Sequence, residues 1–194
     1  MRRRLVILAL FALATAAPGG PLIRIQTALG VIEAELAPDQ APATVANFLK
    51  YVDAGRYAGG IFHRTVKLRP DNQPNNTVKI EVIQGGVNPD FAEKDWPALA
   101  LERTRDTGLK HLDGTLSMAR AGPDTATSDF FICVGDQPEL DFGGKRNPDG
   151  HGFAAFGRVT KGMDIVRKIQ AAPAEGQKLT PPVRIDKIEK VKTP

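Results

Sequence analysis

One cysteine, three scattered histidines and no apolar run of bilayer length leave this 194-residue chain with few of the usual routes to chemistry. Cys133 is alone, so no disulfide closes within the chain, and its place in the run FFICV suits a buried small hydrophobe better than a nucleophile. There is no CxxC, HxxxH or HExxH, and His63, His111 and His151 lie far apart in sequence, so a metal site has little support. The segment 135–152 holds acids and an Asn, but their spacing is not that of a calcium loop and Pro138 and Pro148 interrupt it. Ser128 lacks a GxSxG context, with no His or Asp obviously placed for a relay, and no Gly-rich loop joins a strand to a helix as nucleotide binding requires. Neither a metal nor a cofactor is expected.

The first residues, MRRRLVILALFALATAA, stand apart from the rest. An Arg cluster, an apolar run from Leu5 to Ala17 too short to span a bilayer, and the small residues Ala14-Thr15-Ala16 give the pattern of a secretory signal peptide. Residues 1–16 are read as that leader, with the mature start near Ala17, and 17–194 as one domain. The expected location is the periplasm, or the medium, with no stable membrane insertion. Removing the leader takes three of 26 basic residues and none of 22 acidic ones, which leaves a near-neutral chain and little support for a nucleic-acid partner. A near-neutral surface and small size make a monomer the default. Hydrophobic residues at 42% and charged residues at 25% are those of a globular protein with one full core.

LIRIQT (22–27) and VIEAEL (31–36) alternate apolar and polar side chains around a tight turn, as two paired strands do. Pro42 suits a first helical turn, and Val45, Phe48, Leu49 and Val52 form one apolar stripe before Gly55. Short strands are expected at 61–66, 78–83, 114–119, 129–134, 152–159 and 182–191, with a second helix over 163–170. So many strands with two convincing helices indicate a mainly β, mostly antiparallel sheet closed as a barrel or sandwich. The segments 68–77 and 87–113 are long loops of the kind that carry function or lack order.

IFHRTV (61–66), VIQGG (82–86), SMARAGPDTATSDFFICV (117–134), LDFGG (140–144) and GFAAFGRV (152–159) occur in that order and together resemble the cyclophilin family of peptidyl-prolyl cis-trans isomerases. The resemblance spans roughly residues 21 to 191. It implies a closed eight-stranded antiparallel β-barrel with a helix over each end, and an isomerase that needs no cofactor and binds proline-containing segments of unfolded or partly folded proteins. It makes Arg64 the catalytic group. The matching proline pocket is Val82, Phe131, Leu140 and Phe153, with Gln84 and the backbone around Arg120 as its hydrogen-bonding side; Phe62, Ala119, Ala121 and Asp129 complete the substrate-binding set. Taken singly, each apolar residue here is as well explained by core packing.

The chain departs from the family pattern at Glu81, where phenylalanine is usual, at Val82 for methionine, at Asp129 for glutamine, at Glu139 for an aromatic, and at Phe153 for a frequent histidine. Glu81 or Asp129 is therefore placed to pair with Arg64, whereas His63, next to Arg64 on a strand, is expected to point to the opposite face and act structurally. Glu139 implies weak affinity for the cyclic peptide that inhibits many cyclophilins. Beside the isomerase reading stand two others: a cyclophilin-like chaperone or proline-peptide binding module without turnover, and an unrelated barrel that binds carbohydrate or lipid.

Overall fold

Alternation of side chains decides the architecture. In the computed structural model, which describes residues 19–69 and 72–191, the runs noted above become β1 (Leu22–Thr27) and β2 (Gly30–Leu36), paired antiparallel with Ile25 opposite Ile32. Helix α1 (Pro42–Asp53) follows, then β3 (Gly60–Val66) and β4 (Val82–Gly86). A one-turn helix, α2 (Thr104–Thr107), precedes β5 (Thr115–Met118) and β6 (Phe130–Cys133). The chain ends with β7 (Ala155–Lys161), α3 (Met163–Ala171), the two-residue β8 (Ala174–Glu175) and the long β9 (Lys178–Lys190). The expected leader, 1–16, and the start near Ala17 lie outside the described residues.

Hydrogen bonding runs β1-β2-β7-β5-β6-β4-β3-β9 and returns from β9 to β1, which closes eight antiparallel strands, with β8 an extra strand on β9. Closure removes the open edges that a flat sheet would expose. The barrel expected from the resemblance is therefore the one observed. Each end is sealed by an amphipathic helix: α1 buries Val45, Phe48 and Val52, and α3 buries Ile165, Val166 and Ile169. Phe48 meets Phe130 edge-on at 5.6 Å and Phe156 at 5.0 Å between ring centres, within the range of favourable aromatic pairs.

A second apolar cluster lies on the outer face of β4 and β6. Because neighbouring strand residues face opposite ways, Phe130 and Ile132 join the barrel core while Phe131 and Cys133 join Val66, Ile80, Val82 and Leu140 outside it. A four-residue strand buried on both faces cannot be told from a core helix by periodicity alone, and FFIC is such a strand. Burial also pushes the Cys133 thiol far up, which accords with a packing role.

The strand expected at 78–83 begins only at Val82. Residues 78–81 belong to the preceding loop, where the Gln73 amide stands in for a neighbouring strand: its Nε2 donates to the Ile80 carbonyl at 2.8 Å and its Oε1 accepts the Ile80 N–H at 3.2 Å. Gln73 is fully buried and Asn72 nearly so, and these two side chains pin to the barrel a loop whose Leu68, Arg69, Pro74, Asn75 and Thr77 are exposed.

Candidate active site

A cleft of about 690 Å³ opens over the outer cluster. Its floor is apolar. Val82 comes from β4, Phe131 from β6, Leu140 from a 3-10 turn at Pro138–Leu140, and Phe153 from the entry to β7, with Ile80 beside them. Phe153 meets Phe131 edge-on at 5.3 Å, so the two rings form a right-angled corner.

That corner is braced from behind by polar groups. His111 stacks on Phe131, 16° from parallel at 6.0 Å, its Nδ1 lies 2.8 Å from Asp141 Oδ1 and its Nε2 3.0 Å from Ser117 Oγ. This is the order of a serine-hydrolase relay, which the sequence did not suggest. Ser117 is nevertheless wholly buried, so no substrate carbonyl reaches its hydroxyl, and the three side chains serve to orient the ring behind Phe131. Burial works to raise the Asp141 carboxyl, but the hydrogen bonds from His111 and the charges of His111 and Lys110 leave it below its ordinary value.

Arg64 stands at the edge of the pocket on β3. Its Nε donates to Gln177 Oε1 at 2.7 Å and its Nη1 to Gln84 Oε1 at 2.8 Å. Both acceptors are neutral amides, and among the described residues Nη2 has no protein partner. Burial lowers the proton affinity of the guanidinium without removing its charge at neutral pH. The expected pair with Glu81 or Asp129 is not made. Glu81 turns toward α3 and accepts from Gln170 Nε2 at 3.2 Å, since Ile80 and Val82 occupy the cleft face on either side of it. Asp129 is kept from Arg64 by Gln84, whose Nε2 donates to Asp129 Oδ2 at 3.2 Å. Burial raises the Asp129 carboxyl, against the pull of His63 and Gln84.

Two residues of β3 sit otherwise than strict alternation would place them. Phe62 pairs with Gly85 and Arg64 with Gln84, so His63 is the extra residue of a β-bulge. The bulge turns His63 and Arg64 to the same side, and His63 Nε2 lies 3.6 Å from Asp129 Oδ2 in the cleft. His63 is thus a cleft residue. Phe62, expected to touch substrate, instead points into the barrel core against Phe130 and is fully buried. Gly85 and Gly86 allow this arrangement: a Cβ on the first would press on the Phe62 ring, and one on the second would overlap Asp129 Oδ1.

The remaining wall is the 119–129 segment. Ala119, Arg120 and Ala121 line the cleft as expected, and the Ala119 N–H donates to the Asp129 carbonyl at 2.9 Å. The Arg120 side chain lies under the wall, its guanidinium 4.9 Å from the Phe153 ring centre, with Nε donating to the Gly152 carbonyl at 2.8 Å and Nη1 and Nη2 forked onto Asp149. That fork holds the Asp149 carboxyl down at about 2. Glu139 does not face the pocket as an aromatic would; its Oε2 accepts the Lys145 N–H at 2.7 Å.

Ile80, Gln177 and Arg146 were not singled out from the sequence, and His63 was read there as structural. Arg146 lines the cleft from the 141–151 loop, and its Nη1 donates to Gln73 Oε1 at 3.0 Å and to the Val78 carbonyl at 2.7 Å. Two long loops meet there, and no local pattern announces a contact between segments so far apart. Among the described residues there is no cluster of three or more His, Cys, Asp or Glu placed to hold a metal ion, and no helix long and apolar enough to cross a membrane.

A charged, neutrally anchored guanidinium beside a rigid apolar corner suits a ligand with a small ring next to a rotating polar bond. Comparison with known proteins points the same way. Residues 22–190 match the family model described as cyclophilin type peptidyl-prolyl cis-trans isomerase. The peptidyl-prolyl cis-trans isomerase cyp18 of Streptomyces antibioticus is 38% identical over 149 residues, 76% of this chain and 82% of that protein. Peptidyl-prolyl cis-trans isomerase A of Dickeya dadantii is 37% identical over 166 residues, 85% of this chain and 79% of that protein. Among solved structures, a cyclophilin type peptidyl-prolyl cis-trans isomerase of Cryptosporidium parvum, crystallised in the presence of the dipeptide Ala-Pro, superimposes with a TM-score of 0.69 at 26% identity, covering 89% of this chain and 99% of that one.

Proposed function

The chain belongs to the cyclophilin-type peptidyl-prolyl cis-trans isomerases, and we propose that Arg64 and the apolar corner beside it turn over Xaa–Pro bonds in proteins exported alongside it. It is an isomerase whose ligands are proline-containing peptides. The observation that carries the role of Arg64 is its anchoring: two amide oxygens fix Nε and Nη1, while among the described residues no carboxylate neutralises the charge and Nη2 has no partner.

The chemistry follows from the amide itself. A planar peptide bond resists rotation by ~18–20 kcal/mol because nitrogen donates its lone pair into the carbonyl. An X–Pro bond shares this resonance and takes tens to hundreds of seconds to rotate unaided. At the twisted transition state the lone pair returns to nitrogen, which becomes a hydrogen-bond acceptor. A fixed guanidinium N–H near that nitrogen is then bound more tightly by the transition state than by the planar ground state, which is what lowers a barrier. The ring must be held while the preceding carbonyl swings. Val82, Phe131, Leu140 and Phe153 give a pocket of suitable size, and burying a side chain of proline's size contributes about 2 kcal/mol. No bond is broken, so neither nucleophile nor proton relay is required.

Export rests on residues 1–16, whose Arg cluster, short apolar run and small-residue end have the form of a cleaved leader. Two experiments test the reading. Purified 17–194 is expected to accelerate both cis-to-trans conversion of short Xaa–Pro peptides and refolding of a protein limited by a prolyl bond. A folded protein that accelerates neither is a binding module instead. Cell fractionation checks export: full-length chain retained in the cytoplasm would contradict it.

A further inference from the structure

The cleft holds a second guanidinium for which rotation of the peptide bond gives no use. Arg146 is half-buried, and both acceptors of its Nη1, the Gln73 amide and the Val78 carbonyl, are neutral. The contrast with Arg120 is informative. Arg120 lines the same cleft from the 119–129 wall and is neutralised by a forked carboxylate, the usual answer to a buried cation. Among the described residues no carboxylate forms an ion pair with Arg64 or with Arg146. Both line one cleft, and burial lowers the proton affinity of Arg146 with the charge of Arg64 adding to it. Of the acids that line the cleft, Asp129 takes Gln84 Nε2 and faces His63, and Asp95 Oδ2 takes the hydroxyls of Thr127 and Ser128, while Asp95 Oδ1 is buried without a hydrogen-bond partner among the described residues; neither acid reaches Arg64 or Arg146.

Two uncompensated cations flanking one apolar pocket lower the energy of an anion bound between them. We propose that Arg146 is a specificity-determining residue, which makes the cleft favour Xaa–Pro segments carrying an acidic side chain next to the proline and disfavour those carrying a lysine there. This rests on the isomerase reading and adds a substrate class to it. Arg146 is well suited because it is anchored through Nη1, which keeps the group in place, while among the described residues Nε and Nη2 have no partner and remain for a carboxylate.

The test compares kcat/KM for matched peptides with Glu, Gln or Lys placed before or after the proline. Wild type is expected to favour Glu over Gln at one of these positions by about two- to fivefold, the range for a solvent-accessible ion pair, with Lys below Gln. High salt should compress the ratio in wild type, which reads the charge without any substitution. In Arg146→Gln the Glu-to-Gln ratio should approach one, whereas Arg146→Lys should keep most of it. Wild type without a Glu preference at either position, or R146Q with the full ratio, overturns the proposal. If no peptide is accelerated the isomerase reading fails and takes this one with it, while uniform acceleration sinks the charge assignment alone.

Discussion

Arg64 Nε donates to Gln177 Oε1 at 2.7 Å, so the guanidinium at the cleft is held by a residue from the turn between β8 and β9. Gln177 is itself held three ways: its carbonyl accepts the Thr65 N–H at 2.8 Å, its Nε2 donates to the Asn72 carbonyl at 2.6 Å, and its Oε1 takes Arg64. Gln177→Ala is expected to lower kcat about tenfold with a smaller change in KM, in line with loss of a hydrogen bond to a charged group. Gln177→Glu keeps an acceptor but neutralises the cation, and should lower kcat as well. Dividing kcat by the folded fraction, read from denaturant unfolding under the assay conditions, separates this from simple destabilisation, which reduces the amount of active enzyme without changing kcat per folded molecule.

Asn72 connects the loop between β3 and β4 to the same arrangement. Its Oδ1 accepts the Lys67 N–H, and its Nδ2 donates to the Thr65 and Gly176 carbonyls. Removing a nearly buried side chain with these partners strands backbone groups on β3 and in the Gln177 turn. Asn72→Ala should therefore cost about 3 kcal/mol in denaturant unfolding and lower kcat in the protein that remains folded. A variant as stable and active as wild type would show the loop to be independent of Arg64.

Much of this molecule is legible in its residues, and the illegible parts share a cause. Alternation in LIRIQT and VIEAEL, the apolar stripe of α1 and the ordered motifs around Arg64 and Phe131 suffice for the barrel and its pocket floor, because each is set by local periodicity or by a segment read as a unit. His63 and Phe62 escaped because a bulge shifts the phase of a strand without any signature beyond ordinary strand residues. Ile80 replaced Glu81 at the cleft because Gln73, seven residues away, satisfies its backbone in place of a neighbouring strand. Gln177, Arg146 and Asp149 gain their roles from contacts between distant loops, which no window of sequence contains.

Asp149 gives a pH-dependent test. Its carboxyl is held at about 2 by Arg120, below its ordinary 3.8, so its contribution to stability is present above that ordinary value and is lost as pH falls through about 2. Asp149→Asn should be less stable than wild type by about 1–2 kcal/mol near neutral pH, an allowance reduced because the carboxylate faces solvent. The gap should stay constant down to about pH 4 and narrow below it, as urea unfolding at a series of pH values would reveal. A gap that grows on acidification would contradict the pairing.

The most direct test of Arg64 separates binding from rotation. Exchange between cis and trans forms of a bound Xaa–Pro peptide, followed by NMR together with its dissociation constant, distinguishes the two in one sample. Arg64→Ala should bind the peptide within a few-fold of wild type while exchange falls by about a hundredfold or more, the scale for removing one fixed donor to a transition state. Unchanged exchange in folded Arg64→Ala would mean that the pocket alone accelerates the reaction and that the guanidinium serves some other purpose.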